Sequence, residues 1–154
     1  MTVPIRSSHV ALLAALTLIP AVTRATLGEP ESSVAADRRA MAARSNGRTD
    51  HGRYSVEESV SGAGTLREYV APSGVVFAVA WSGLSHPDLA PLLSSYRASY
   101  QLALQQARRT PGRRHVQLAA GPLVVEHWGH MRDLHGRAYV PSLLPQRVSV
   151  DDIR

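Results

Sequence analysis

Cysteine is missing from this chain of 154 residues, so it forms no disulfide, offers no thiolate for catalysis or for a sulfur-rich metal site, and lacks the residue on which an N-terminal lipid is built. Lysine is missing as well. All 17 basic residues are arginine, and asparagine and phenylalanine occur once each, beside abundant alanine, glycine and proline. That bias fits a GC-rich coding sequence better than selection for a polyanion. After the N-terminal segment no apolar run approaches the ~20 residues a helix needs to cross a bilayer.

The N-terminal segment itself reads as an export signal. Arg6 gives a positive start, Val10 to Val22 form an apolar run broken by Thr17 and Pro20, and Thr23-Arg24-Ala25 places small side chains where a signal peptidase cuts. The run, at about 13 residues, is too short to span a membrane. The expectation is a signal peptide at residues 1–25, cleaved after Ala25, and a soluble periplasmic or secreted product with no membrane attachment. Removing 25 of the 154 residues leaves 129, enough for a single domain over 26–154 with a core of its own.

Charge narrows the partners further. The formal +5 falls to +3 once Arg6 and Arg24 leave with the signal. The clusters Arg38-Arg39, Arg108-Arg109 and Arg113-Arg114 are short and not interleaved with stacking aromatics, so nucleic acid is not expected as a partner. Solvated helix ends and loops account for them.

Along the chain, Ser32 or Ser33 is placed to cap a helix running to about Arg44, and Ser45 to Arg53 reads as a mobile polar connector without periodicity. Tyr54, Val56 and Val60 alternate with polar residues as a strand, Ser61 to Gly64 is turn chemistry, and Thr65 to Val70 is a second strand. Pro72-Ser73-Gly74 turns the chain into its most apolar strand, with Val75, Phe77, Val79 and Trp81 assigned to one face and Val76, Ala78 and Ala80 to the other. A long helix follows, capped by Asp88 and ending near Arg108-Arg109, with Leu89, Leu92, Leu93, Tyr96, Tyr100, Ala103 and Leu104 at helical spacing. Further strands are read at Val116 to Leu118, at Leu123 to Val125 and at Arg137 to Val140, before a final capped turn at Ser149 to Asp152 that is short enough to fray. The pattern predicts an α+β fold, an antiparallel sheet of about five to six strands with one long helix packed on it and a shorter N-terminal helix.

Chemistry is sparse. The densest cluster is Glu126-His127-Trp128-Gly129-His130-Met131 with Asp133 and His135, and His127, His130 and His135 are the candidate metal ligands. In a strand, positions 127 and 130 face opposite ways, so they converge only through a bulge at Gly129. No G-x-S-x-G elbow fixes a nucleophile, and Gly62-Ala63-Gly64 lacks the helix and parallel strands of a phosphate loop. Trp81, Trp128, Tyr69, Tyr96, Tyr100 and Tyr139 line either a core or a ligand groove, with Arg67-Glu68 and Arg137 as a polar rim.

Several stretches taken together carry a resemblance: Ala25 to Pro30 with Ser33-Val34 and Asp37, Arg67-Glu68-Tyr69-Val70, Gly74 to Trp81, Gly129-His130-Met131, and Gly136-Arg137-Ala138-Tyr139 with Pro141. The chain resembles an uncharacterised family of exported proteobacterial proteins, domain of unknown function 2844. The likeness implies one small domain behind a signal peptide and brings no activity, cofactor or catalytic residue with it. The expected function is therefore a non-enzymatic binding or accessory module for a partner protein or small ligand, without cofactor, using Arg67, Glu68, His130, Arg137 and Tyr139. A metal-dependent or hydrolytic enzyme built on residues 126–135 is the alternative. Assembly through an exposed sheet edge is a third reading, which needs an uncovered strand.

Overall fold

Residues 27–107 and 115–154 are described by the computed structural model. The expected signal segment and the cluster Arg108, Arg109, Arg113 and Arg114 lie outside the described residues. Helix α1 (Val34–Ala40) follows a 3-10 turn at Glu31–Ser33, and strands β1 (Arg44–Asp50), β2 (Ser55–Ser61), β3 (Gly64–Val70) and β4 (Val76–Gly83) come next. Then α2 (Leu89–Leu93), a 3-10 turn at Ser94–Tyr96 and α3 (Arg97–Gln106) precede β5 (His115–Ala120), β6 (Leu123–His130) and β7 (Asp133–Tyr139). All seven strands form one sheet in the order β1-β2-β3-β4-β7-β6-β5, antiparallel throughout.

This corrects the expected five to six strands and single long helix. The added strand is β1, which occupies the segment read as a connector. All seven of its residues are exposed at the end of the sheet, so no apolar alternation marks it. Backbone pairing and a local turn make it a strand: Asp50 Oδ1 accepts from the Gly52 N–H at 2.7 Å, and the His51 N–H donates to the Tyr54 carbonyl at 2.9 Å.

The expected long helix divides at Ser94–Tyr96. Leu89, Leu92 and Leu93 of α2 are buried, whereas α3 buries no residue fully and leaves Leu102 and Leu104 exposed. Tyr96, Tyr100 and Ala103 continue to pack against the same core, half-buried, and α3 lies against β5 at the end of the sheet.

The N-terminal helix also stops early, at Ala40 rather than Arg44. Ala42 takes a positive φ of 48°, the Ala43 N–H reaches the Arg38 carbonyl and the Ala42 N–H reaches the Arg39 carbonyl. That is a Schellman end with alanine where glycine is usual.

In β4 every residue from Val76 to Trp81 is buried. Strict alternation would keep Phe77 on the face of Val79 and Trp81. Instead the register pairs Val70 with Val76 and Tyr69 with Ala78, so Phe77 is an extra residue. Phe77 joins Val56, Tyr69, Ala78, Ala80, Tyr139 and Ile153, while Val76, Val79 and Trp81 pack with Leu66, Leu92, Leu93, Leu123 and Val125 beneath the helices.

The sheet thus has a face closed by α1, α2 and α3 and a face closed by residues 141–153. The C-terminal turn does not fray. Ser149 and Asp152 form a capping box over Val150–Asp152, and Ile153 is fully buried. Among the described residues no helix is long and apolar enough to cross a membrane.

Candidate functional site

Register places one charged row across the face that the C-terminal segment covers: Glu58, Arg67, Ala80, Arg137, Glu126 and Gln117 lie opposite one another on successive strands. Arg137 Nε donates to Glu126 Oε2 at 2.6 Å, and both side chains are largely buried. Its Nη1 donates to the carbonyls of Val150 at 2.6 Å and Ile153 at 3.2 Å. The guanidinium also stands over the rings of Trp128 and Tyr139. Tyr139 completes the group by donating to Glu126 Oε1 at 3.4 Å.

Arg67 does similar work two strands away on the same row. Its Nε donates to Glu58 Oε2 at 2.7 Å and its Nη1 to the Arg154 carbonyl at 3.2 Å. The Tyr69 hydroxyl donates to that same carbonyl at 2.7 Å and accepts from the Arg154 N–H at 2.9 Å. Asn46 donates to the other oxygen of Glu58, and that hydrogen bond, with Arg67 behind it, holds the Glu58 carboxyl below its usual range.

Between these contacts and β1 lies an open groove of about 540 Å³. Asn46, Gly47, Arg48 and Thr49 form one wall, Tyr54, Val56 and Tyr69 the floor, and Asp152 and Arg154 the other wall. His51 stacks on Tyr54 with ring centroids 4.8 Å apart and planes 21° from parallel. Tyr54 leans in turn on Tyr69 and Phe77, so the floor is tied to the core. Among the described residues the Arg154 guanidinium has no hydrogen-bond acceptor of its own.

Glu68, adjacent to Arg67 in sequence, points to the opposite face. It is 1 % exposed, faces Glu57 across the strand pair, and neither of its carboxyl oxygens has a partner. Asp37 of α1 is buried to the same degree, with Oδ2 also unpartnered. Burial, then the charge of Asp37, raises the Glu68 carboxyl from 4.5 to about 8, and burial raises Asp37 from 3.8 to about 7. Arg38 stays close, bonded to Ser59 Oγ at 3.2 Å and Glu57 at 3.5 Å.

The histidines do not converge. His127 lies on the helix face beside Trp81 and His86, His130 is exposed at the end of β6, and His135 sits on the other face, bonded to Asp133 at 2.8 Å and stacked on Trp128. Burial, reinforced by His86, lowers His127 from 6.5 to about 4. His86 Nδ1 accepts from the Trp81 indole at 3.0 Å, which puts the proton of the neutral ring on Nε2 and leaves no lone pair there for a metal. Among the described residues no group of three histidine or acidic side chains is placed to hold a metal ion.

Of the residues singled out in the sequence, Arg67, Arg137 and Tyr139 share a face and Arg67 lines the groove, while Glu68 and His130 lie elsewhere. Asn46, His51, Tyr54 and Arg154 were missed. Their role depends on β1 being a strand, for which the sequence carries no periodic signal.

The architecture defines a one-sheet antiparallel protein in which the chain's own C-terminal segment covers one face and the charged row that crosses it. By sequence the chain belongs to the family described as Protein of unknown function (DUF2844), which matches residues 23–153. No curated protein and no solved structure matches it.

Proposed function

We propose that the protein is an exported, soluble, non-enzymatic binding module that takes a small polar ligand, or a short segment of a partner protein, in the groove between β1 and the C-terminal segment. The observation that carries this reading is the groove itself: about 540 Å³, floored by tyrosines anchored in the core and rimmed by Arg67 and Arg154. Stacked rings beside a guanidinium with no acceptor suit a planar ligand bearing a carbonyl or anionic group. Arg67, Tyr69 and the backbone of Arg154 are already fixed by one another, so binding orders the Arg154 side chain on a floor that is already formed. The periplasm or the medium is the proposed location, on the strength of the N-terminal segment. The enzymatic alternative has lost its nominee, because His127, His130 and His135 diverge.

Native mass spectrometry of untagged protein recovered from the periplasm of an expressing cell tests both parts. A chain beginning at Thr26 with a non-covalent adduct that is lost on denaturation, and lost in Tyr54→Ala, is the expected result. An adduct held equally well by Tyr54→Ala overturns the groove. So does a bare chain that stays bare after incubation with the small-molecule and peptide fractions of the periplasm.

A further inference from the structure

The outer side of β1 pairs with nothing among the described residues. Which backbone groups it presents follows from the hairpin. The His51 N–H bonds the Tyr54 carbonyl, so residues 51 and 54 form a hydrogen-bonded pair, and alternation makes Thr49 with Val56 the next. The N–H and carbonyl groups of Arg48 and Asp50 are therefore directed outward. Before Arg48 the extra residue between Ser45 and Gly47 breaks the alternation, so the usable edge begins at Arg48.

From these positions we infer that a second copy of this chain adds to β1, antiparallel, about a two-fold axis at Thr49, joining two sheets into one. In that register the outward groups of Arg48 meet those of Asp50 from the other copy, twice. Both ends bring opposite charges together. The neighbouring registers that also pair outward groups are centred on Arg48 or on Asp50 and set like charges face to face. Asp50 has no cationic partner in its own chain among the described residues; its Oδ1 accepts from the Gly52 N–H. Arg48 uses only Nη1 to reach Glu31 and Glu57, leaving Nε and Nη2 for a third carboxylate. Thr49 would lie opposite its own copy.

The absence of cysteine makes the test direct, since one introduced thiol is the only one present. Thr49→Cys places two thiols on a non-hydrogen-bonded pair with Cα atoms about 4.5 Å apart, inside the ~4.4–6.8 Å range of a disulfide. Arg44→Cys on the same strand places them about 30 Å apart. We expect mild oxidation to convert Thr49→Cys to a covalent dimer at least tenfold faster than Arg44→Cys. Sedimentation equilibrium should show a concentration-dependent dimer for the native sequence, a monomer for Asp50→Arg, and a dimer again for Arg48→Asp with Asp50→Arg. Equal cross-linking of the two cysteine variants overturns the pairing, as does undiminished dimerisation of Asp50→Arg; a native chain that stays monomeric at every concentration means that the bulged, charged edge serves only to repel other strands. The cysteine comparison leaves Arg48 and its contacts to Glu31 and Glu57 intact, so it holds even if the charge-swapped chain folds poorly.

Discussion

Replacing Glu68 by glutamine should stabilise this protein in neutral and alkaline solution while doing little in acid, because the native carboxyl is held where it cannot ionise comfortably. Its pKa of about 8 stands well above the ordinary 4.5, and the cause is burial at 1 % exposure with no hydrogen-bond partner. The direction follows from proton counting. Below pH 4.5 folded and unfolded chains both carry the proton and titration of the residue costs nothing; between 4.5 and 8 the unfolded chain ionises freely while the folded chain does not, so stability falls as pH rises. At ~1.4 kcal/mol for each pH unit, that loss reaches about 3 kcal/mol at pH 7 and about 5 kcal/mol above pH 8.

Asp37, raised to about 7, acts in the same direction over a lower window, and His127, lowered to about 4, acts in the opposite direction between about 4 and 6.5. Both are common to the two proteins and largely cancel in the difference. Urea unfolding of native and Glu68→Gln protein, followed by circular dichroism from pH 5 to pH 8, should therefore show the variant gaining about 4 kcal/mol relative to the native chain across that range. In thermal melts the same gain is roughly 10 °C. A difference that stays flat across the range, or one that grows toward acid, would refute the idea that Glu68 is buried protonated.

Three further outcomes are expected. Arg137→Ala should lower stability by about 3–5 kcal/mol in urea unfolding, because Glu126 is left buried without its counter-charge and the carbonyls of Val150 and Ile153 lose their donor; adding Glu126→Gln should recover part of that loss, and a loss below about 1 kcal/mol would mean the pair is solvated. Phe77→Ala and Leu93→Ala, each at a fully buried position but on opposite faces, should each cost about 2–5 kcal/mol and act additively within about 0.5 kcal/mol. Ala42→Gly should stabilise by about 1 kcal/mol, since the helix end already requires the left-handed conformation, and a destabilised variant would argue against that Schellman end.

How much of this was legible depended on whether a residue announces its neighbours. The strands from Tyr54 to Trp81 were read because one or both faces are apolar, and the central β4 announced itself by having no polar residue at all from Val76 to Ala80. β1 announced nothing. An edge strand exposed along its whole length has the composition of a loop, and only its partner β2 makes it a strand. The long helix was misread because spacing at Leu89, Leu92, Leu93, Tyr96 and Tyr100 continues across Ser94–Tyr96, and Tyr96 and Tyr100 do pack against the core, but spacing does not register the 3-10 turn that divides the stripe. Phe77 was put on the wrong face because a bulge shifts parity by one residue without altering composition.

The candidate site was half legible for the same physical reason. Arg67, Glu68 and Arg137 stood out as polar residues within apolar strands, and all three do mark polar structure, but the sequence could not separate their faces from their purposes. Period two alone puts Arg67 and Glu68 on opposite sides; only the packed fold shows that one side offers a carboxylate and a backbone carbonyl while the other offers Asp37 and no donor to Glu68. The consequence is an asymmetry between the two faces. The helix face buries Glu68 and Asp37 with carboxyl oxygens that find no donor, whereas the C-terminal segment meets its face with apolar side chains, Ile153 and Val150 among them, and with backbone carbonyls that Arg67, Tyr69 and Arg137 bond. The groove beside Tyr54, lined by Asp152 and Arg154 on one side and by residues of β1 on the other, lies along the seam of that second face.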